Sequence, residues 1–150
     1  MKLSISAYDI AARFVGLRES PGAAFNPALL AMLSLDANWP KDDSVPWCSA
    51  FANYVAWLLR LPRSKSLRAR SWLLVGQPIT LDRAEVGFDV VILNRGGVMD
   101  PGVIDAPGHV GWFAGLEGDQ VIVLGGNQGD AVSLARFKVG QVLGVRRLAG

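Results

Sequence analysis

Apolar residues in the first half of the chain recur every three or four positions, which is the spacing of one buried helix face. Asn26 followed by Pro27 is typical of a helix start, because Asn26 can cap free N–H groups and Pro27 suits the first turn. The pattern predicts four helices, over residues 7–17, 28–35, 46–61 and 66–75. We expect Gly76 to end the last of them.

The second half of the chain changes to short runs of β-branched residues separated by turns. Val90 to Leu93 is an unbroken apolar run, which is typical of a buried strand. The pattern predicts five strands, over residues 90–93, 110–114, 121–124, 131–138 and 142–148. Helices followed by an antiparallel meander indicate an α+β fold, in one domain that spans residues 1–150.

Composition limits the classes of function. Of the 150 residues, 51% are hydrophobic and 19% are charged, so the chain can bury a core and is not expected to be disordered. A net charge of +2 is too small for a dedicated nucleic-acid binder, and no nucleic-acid partner is expected. The basic residues between Arg60 and Arg70 predict a solvated linker, which could also contact an anionic polymer.

Targeting signals are not evident in the sequence. Residues 1–6 lack the apolar stretch and the small-residue cleavage site of a signal peptide. The most apolar run, residues 45–59, contains Asn53 and is too short to span a bilayer. We therefore expect synthesis in the cytoplasm without a membrane span, so that any action outside the cell requires release or export.

The chain has a single cysteine, Cys48, at the predicted start of the third helix. Free N–H groups and the helix dipole at that position favour a thiolate, and the N–H of Cys48 could serve as an oxyanion donor. The alternative is a small buried apolar residue, which is common for a free cysteine. One cysteine and one histidine are too few for an ordinary zinc site, and we expect neither a metal nor a cofactor.

The single histidine, His109, begins a predicted strand between Gly108 and Gly111. It could act as a general base toward Cys48, or it could be a histidine that is satisfied by a loop carbonyl. A base needs a third group to hold its tautomer, and we expect Asn127 in that role from the strand that follows. Asn127 could instead be a turn residue, and other candidates for the third position remain: Asp105, Gln128 and Asp130.

Three short motifs occur in order along the chain: PWCSAF at residues 46–51, GHVG at 108–111 and LGGNQ at 124–128. Together they resemble the CHAP and NlpC-type branch of papain-like cysteine hydrolases, and most closely a small bacterial and phage subgroup, over nearly the whole chain. The resemblance implies a papain-like fold, with N-terminal helices packed on a C-terminal antiparallel sheet. It also implies that Cys48 is the nucleophile, His109 the base and Asn127 the residue that orients the histidine.

Two departures of the chain from this pattern bear on the expected site. Gly125 stands where some relatives carry a glutamate near the last motif. Asp42 and Asp43 lie where a side-chain oxyanion donor is expected, and an ionised carboxylate is a poor donor. We expect Asp43 or its neighbour Asp42 to meet a substrate ammonium instead, with a solvated or helix-capping carboxylate as the alternative. The other expected substrate contacts are Gly108, Gln128 and two tryptophans, Trp47 and Trp72, that form groove walls unless they belong to the core.

The resemblance implies that the substrate is bacterial peptidoglycan, cut at an amide or peptide bond. The enzyme would then be an N-acetylmuramoyl-L-alanine amidase or a stem-peptide endopeptidase, working as a phage endolysin, an exported antibacterial effector or a wall-remodelling enzyme. An effector would have a delivery system or an immunity protein as a partner. The alternatives are a non-catalytic module that binds cell wall or protein, and a cysteine amidohydrolase or transferase with a deep closed pocket.

Overall fold

The computed structural model describes residues 4–19, 26–35 and 47–150. Three α-helices lie in this part of the chain: α1 Ala7–Ala12, α2 Pro27–Ser34 and α3 Cys48–Leu58. Three short 3-10 helices accompany them, at Ala69–Leu74, Leu81–Arg83 and Val139–Gln141. The strands are β1 Gln77–Ile79, β2 Asp89–Asn94, β3 Gly108–Glu117, β4 Gln120–Gly125, β5 Ser133–Lys138 and β6 Val142–Arg147. None of the helices in the described ranges has the length and apolar character that crossing a bilayer requires.

The first two helices begin where the sequence predicts. The N–H of Ala28 donates to Asn26 Oδ1 over 2.9 Å, and Pro27 occupies the first turn of α2. Helix α1 ends at Ala12 rather than at residue 17, because the chain turns there so that the N–H of Gly16 can donate to the carbonyl of Val132.

The predicted fourth helix is only a 3-10 helix over Ala69–Leu74. Gly76 follows it with a φ of 74°, and a Cβ there would lie 2.6 Å from the carbonyl oxygen of Arg147. Strand β1 comes directly afterwards and was not predicted. It has three residues, one of which is Pro78, and it pairs only at the edge of the sheet, so it carries little sequence signal.

The six strands form one antiparallel sheet in the order β1-β6-β2-β3-β4-β5. Strands β2 to β5 are the predicted meander, and β6 returns to pair with the free edge of β2. The predicted α+β fold, with N-terminal helices against a C-terminal antiparallel sheet, is confirmed.

Alternate residues of β2 enter two apolar clusters. Val90 and Ile92 pack in the larger cluster with α3, whereas Val91 and Leu93 pack in a smaller cluster on the other face of the sheet. Burial on both faces explains the unbroken apolar run in the sequence. The first turn of α3 is thereby held against β3, whose Val110 belongs to the same larger cluster.

Arg70 is fully buried, so the prediction of a solvated linker is wrong at this residue. Its guanidinium donates to Asn94 Oδ1 and to the backbone carbonyls of Val98, Asp100, Val103 and Pro107. These acceptors all lie at the end of β2 and in the loop over residues 95–107, which joins β2 to β3. Arg70 therefore orders this loop from inside, since each acceptor replaces a hydrogen bond to water.

Candidate active site

Cys48 is the first residue of α3, and no side chain of the described residues caps this helix. Its side chain is 3% exposed. The backbone N–H groups of Val110, Ser49 and Cys48 lie close enough to the sulfur to act on the pKa of the thiol. Because Val110 follows His109 directly in β3, the thiol lies near the peptide bond between these two residues.

Burial raises the pKa of the Cys48 thiol above its ordinary value. The three N–H groups and the positive charge of Arg95 act in the opposite direction, as expected for a helix start, but they do not outweigh burial. The sequence expectation of a favoured thiolate is therefore corrected: the resting thiol is neutral at pH 7. The sequence shows where the helix begins, whereas the desolvation of the sulfur depends on the packing of β3.

His109 lies opposite Leu93 in the β2–β3 register, and its ring is 4% exposed. It packs against Phe137 with the ring centroids 5.3 Å apart. Burial lowers the pKa of His109 below its ordinary value, while the hydrogen bond with Gln128 opposes this shift. The imidazole is therefore neutral at pH 7 and can accept a proton.

Gln128 determines which nitrogen of His109 carries the proton. Gln128 Oε1 lies 2.8 Å from His109 Nε2, while its Nε2 donates to the carbonyls of Ser133 at 2.6 Å and Val123 at 3.2 Å. Carbonyls only accept hydrogen bonds, so the amide cannot be flipped and its oxygen must face the ring. His109 Nε2 is therefore the protonated nitrogen, and Nδ1 keeps the lone pair.

Gly125 provides the space for this contact. A Cβ at Gly125 would lie 2.7 Å from Gln128 Oε1 and 3.4 Å from His109 Nε2. A side chain at position 125, where some relatives in the resembled family carry a glutamate, would thus point at the histidine ring. In this chain the side chain of Gln128 occupies that space from the following turn.

Asn127 does not make the contact that the sequence predicted. It is half-buried, has a left-handed backbone with a φ of 59°, and makes no hydrogen bond to His109 within the described structure. This conformation favours asparagine over most residues, which fits the alternative of a turn residue. The place on the ring is taken by Gln128, which was an alternative for that position. Gln128 is also largely buried, and its expected role as a substrate contact stays a prediction.

The two tryptophans expected to form groove walls are fully buried in the core. Trp47 donates its indole N–H to Glu19 Oε1 over 2.6 Å, and its ring leaves no room for a side chain at Gly126. Trp72 donates to Ser49 Oγ over 3.0 Å. Both rings support the start of α3 from behind, and neither is available as a wall.

The remaining expected site residues have different outcomes. At Gly108 a Cβ would lie 2.9 Å from Arg70 Cγ, so the close approach there is to the buried arginine. Asp43, like Asp42, lies outside the described residues. Asp105 and Asp130 are exposed and make no hydrogen bond to His109 in the described structure.

Two cavities open at the start of β3, and His109 lines the first of them. The first, of about 500 Å³, is the histidine cavity, lined by Asn94, Arg95, His109, Asn127, Gln128 and Phe137 among others. The second, of about 700 Å³, is the charged cavity, lined by Glu19, Arg68, Arg95, Asp105, Asn127 and Asp130 among others. Arg95 and Asn127 border both, so the cavities adjoin, while Cys48 lines neither. Within the described residues, no three His, Cys, Asp or Glu side chains are grouped as metal ligands.

A helix that begins with a buried cysteine, packed on an antiparallel sheet with a histidine near the start of the strand β3, is typical of a papain-like α+β fold. No family model matches the sequence, and no curated protein matches it. The structure is similar to that of NlpC1 from Trichomonas vaginalis, with a TM-score of 0.56 and 19% identity. The match covers 95% of this chain and 42% of that one, so the chain spans less than half the length of NlpC1. The likeness shows an NlpC-like fold and does not extend to the CHAP subgroup.

Proposed function

We propose that this protein is a cysteine hydrolase that cleaves an amide or peptide bond of bacterial peptidoglycan. The observation that carries the proposal is the hydrogen bond between His109 and Gln128, which leaves His109 Nδ1 free to accept a proton, while the N–H of the next residue, Val110, lies near the thiol. The NlpC-like fold supports the proposal, because this fold is of the cell-wall peptidase type.

The proposed reaction starts from a neutral thiol and a neutral imidazole. His109 Nδ1 takes the proton of Cys48 as the sulfur attacks the carbonyl carbon, and the N–H of Cys48 faces the developing oxyanion. His109 then returns the proton to the leaving amine, and a thioester remains on Cys48. Water attacks the thioester with His109 again acting as base, which releases the carboxylic acid and restores the thiol. No cofactor takes part.

Mass spectrometry of digested peptidoglycan tests this proposal. Purified peptidoglycan is incubated with the wild type or with Cys48→Ala, and the released fragments are compared. We expect new amine termini with the wild type alone, and their position distinguishes an amidase from an endopeptidase. Identical fragments from the two proteins would reject the enzymatic function.

A non-catalytic module that binds cell wall or protein is the second candidate. It is favoured by the burial of the thiol, since Cys48 is 3% exposed and its pKa is raised. Sedimentation with insoluble peptidoglycan separates the two functions. A binding module would sediment equally as wild type and as Cys48→Ala, and neither protein would release fragments.

The proposal includes two antibacterial roles, that of a phage endolysin and that of an exported effector. As an endolysin, the protein would reach the wall after release from the cell. As an exported effector, it would need a delivery system, and the producing cell would need an immunity protein. Expression in the periplasm of a test bacterium, with Cys48→Ala as the control, should cause lysis that depends on the thiol.

A further inference from the structure

A groove at the C-terminal end of α3 is separate from the proposed active site. It has a volume of about 710 Å³, and we call it the basic groove; its lining includes Trp57, Arg60, Arg63 and Lys65. It shares no lining residue with the histidine cavity or with the charged cavity. Cys48 begins α3, and at about 1.5 Å per residue the other end of this helix lies about 15 Å away. A ligand in the basic groove therefore leaves the thiol accessible to a different part of the wall.

The charged residues that line the basic groove are all cations, namely Arg60, Arg63 and Lys65, and no acidic residue of the described chain lines it. The charged cavity, in contrast, is lined by both signs, for example by Arg68 and Asp105. A groove with charges of one sign attracts a ligand of the opposite sign. The basic groove therefore suits a polymer with uncompensated negative charge, rather than a peptide that carries both an ammonium and carboxylates.

Two of these cations lie at backbone positions that are unfavourable for their residue type. Arg60 has a φ of 55° and Lys65 a φ of 56°, in the left-handed region where glycine and asparagine are most common. The other non-glycine residues of the described structure with a positive φ are Asn127 and Asp130, whose types tolerate it. Such a conformation costs folding free energy and often marks a functional site.

Arg60 also occupies the position at which glycine commonly ends a helix. Its N–H donates to the carbonyl of Trp57 over 3.1 Å. The N–H of Leu61 donates to the carbonyl of Ala56 over 2.9 Å. This pair of hydrogen bonds is the Schellman motif, in which the left-handed residue is usually glycine. The end of α3 alone would therefore favour a residue without a side chain, whereas the chain has an exposed cation there.

The loop that carries Lys65 is held by Asn53, a buried residue of α3. Asn53 Oδ1 accepts from the N–H of Lys65 over 3.0 Å. Asn53 Nδ2 donates to Ser64 Oγ and to the carbonyl of Ser66, each over 3.2 Å. Because the backbone is already ordered, a ligand that binds the cations has to order only their side chains.

Trp57 adds an apolar surface to the same groove. Its side chain is 47% exposed and packs against Tyr54, with the ring centroids 5.8 Å apart. The exposed indole can pack against the C–H groups of a sugar or polyol unit. A tryptophan beside cations therefore fits a chain in which anionic groups alternate with such units.

We propose that the basic groove binds a phosphodiester polymer of the bacterial cell wall, with phosphates on Arg60 and Lys65 and a sugar or polyol unit on Trp57. Guanidinium and ammonium groups both bind phosphate. An anionic bilayer fits less well, because its surface is too broad for a groove and its recognition commonly takes about four to eight cations. The choice of a wall polymer rests on the proposed function, and its binding would hold the enzyme on the wall.

Sedimentation with purified bacterial walls tests the groove, using walls that retain their phosphate polymer and walls stripped of it with hydrofluoric acid. Cys48→Ala is the background throughout, so that the walls stay intact. We expect a Kd about 10- to 100-fold lower for native than for stripped walls, as for hydrogen bonds to charged groups. Arg60→Gln combined with Lys65→Gln should abolish this difference.

The matched control combines Arg13→Gln with Arg83→Gln, which removes the same number of charges from exposed positions outside the groove and should keep the difference. Equal binding to both kinds of wall, or the same loss in both double variants, would overturn the proposal. Single-stranded oligonucleotides or anionic vesicles that displace the protein from native walls as well as the free polymer does, at equal phosphate concentration, would also overturn it.

Arg60→Gly separates a binding role from a structural one. Glycine suits the left-handed position, so the urea midpoint of unfolding should rise, while the Kd for native walls should rise with the loss of the cation. An unchanged Kd would overturn the role of Arg60 as a ligand. A midpoint that falls together with binding would overturn it as well, because Arg60 would then serve the fold.

Failure of this inference can be told apart from failure of the proposed function, since digestion of stripped walls by the wild type needs no phosphate polymer. If the wild type releases fragments from stripped walls while both double variants bind native walls alike, the groove proposal is wrong and the hydrolase remains. If no fragments are released while binding to native walls depends on Arg60 and Lys65, the hydrolase is wrong and the groove proposal is supported.

Discussion

The proton on His109 is placed by a neutral amide rather than by a carboxylate. Gln128 can do this because both of its N–H donors are taken by the carbonyls of Val123 and Ser133. A neutral partner orients the ring, and its hydrogen bond raises the pKa of His109 by less than burial lowers it. In the proposed reaction the two groups therefore start as a thiol and a neutral imidazole, and the proton is transferred as the substrate is attacked.

Replacing Gln128 by alanine should lower kcat about 10- to 100-fold, the range found for residues that orient a histidine. The ring would lose the acceptor that fixes its tautomer, whereas substrate contacts would stay, so KM should change little. Steady-state kinetics on a peptidoglycan fragment measures both constants. Gln77→Ala is the matched control, since it removes an exposed glutamine of β1 that lines neither cavity. An unchanged kcat in Gln128→Ala would contradict this role.

The pH dependence of kcat/KM follows from the pKa of His109. The base works only when neutral, and burial lowers its pKa below the ordinary value of 6.5. Activity should therefore persist below pH 6.5 and be lost only as the pH falls further through the lowered pKa. A rate profile measured from pH 4 to 8 checks this, with circular dichroism at each pH to show that the protein stays folded. An acid limb centred above pH 6.5 would show that burial does not control the base.

The end of strand β4 and the turn after it form the element that brings the amide to the ring. Gly125 leaves space for Gln128, and Asn127 turns the chain in a left-handed conformation so that the next side chain points inward. The choice between two adjacent amides depends on this turn. The sequence gives no sign of it beyond the glycines.

Gly125→Ala should reduce kcat to about the level of Gln128→Ala, because the added methyl group occupies the place of Gln128 Oε1. The double variant should then be no slower than either single variant, which is the mark of a shared mechanism. Gly140→Ala is the control, since no atom lies within 4 Å of the added Cβ. The cycle consists of rates measured on one fragment for the wild type, the two single variants and the double variant. If the double variant instead loses kcat by the product of the two single losses, Gly125 does not act through Gln128.

The buried side chain of Arg70 stabilises the loop over residues 95–107 from inside. Arg70→Lys should reduce the free energy of unfolding by about 2–3 kcal/mol, because an ammonium has three donors and cannot reach every carbonyl that the guanidinium holds. Urea denaturation measures the change. Arg68→Lys, at an exposed neighbour, should stay within about 0.5 kcal/mol of the wild type. A similar small change in Arg70→Lys would contradict the role of the buried network.

At the scale of the whole molecule, the features that depend on neighbours in sequence could be predicted. The start of α2 at Asn26 and Pro27, the apolar run of β2 and the meander that follows all have local signals. The features that depend on distant contacts could not. The burial of Arg70 is set by carbonyls on a loop that follows it much later, and the raised pKa of Cys48 is set by the packing of β3.

The pairing of the only cysteine with the only histidine could be predicted from the sequence in part. Their uniqueness and the motifs around them indicate a pair, and the sheet brings Val110, the neighbour of His109, to the sulfur. The structure was needed to identify Gln128 as the residue that contacts the histidine ring. The sequence alone does not show which of the adjacent amides, Asn127 or Gln128, faces the ring. The central claim is that Cys48 forms a covalent intermediate with the help of His109.

Intact-protein mass spectrometry during the first turnover tests this claim most directly. The protein is mixed with a soluble peptidoglycan fragment and quenched with acid at short times. We predict a mass increase equal to the acyl part of the cleaved fragment, located on the peptide that contains Cys48 and absent in Cys48→Ala. Cleavage that proceeds with an unchanged protein mass, at the same rate in Cys48→Ala, would contradict the account.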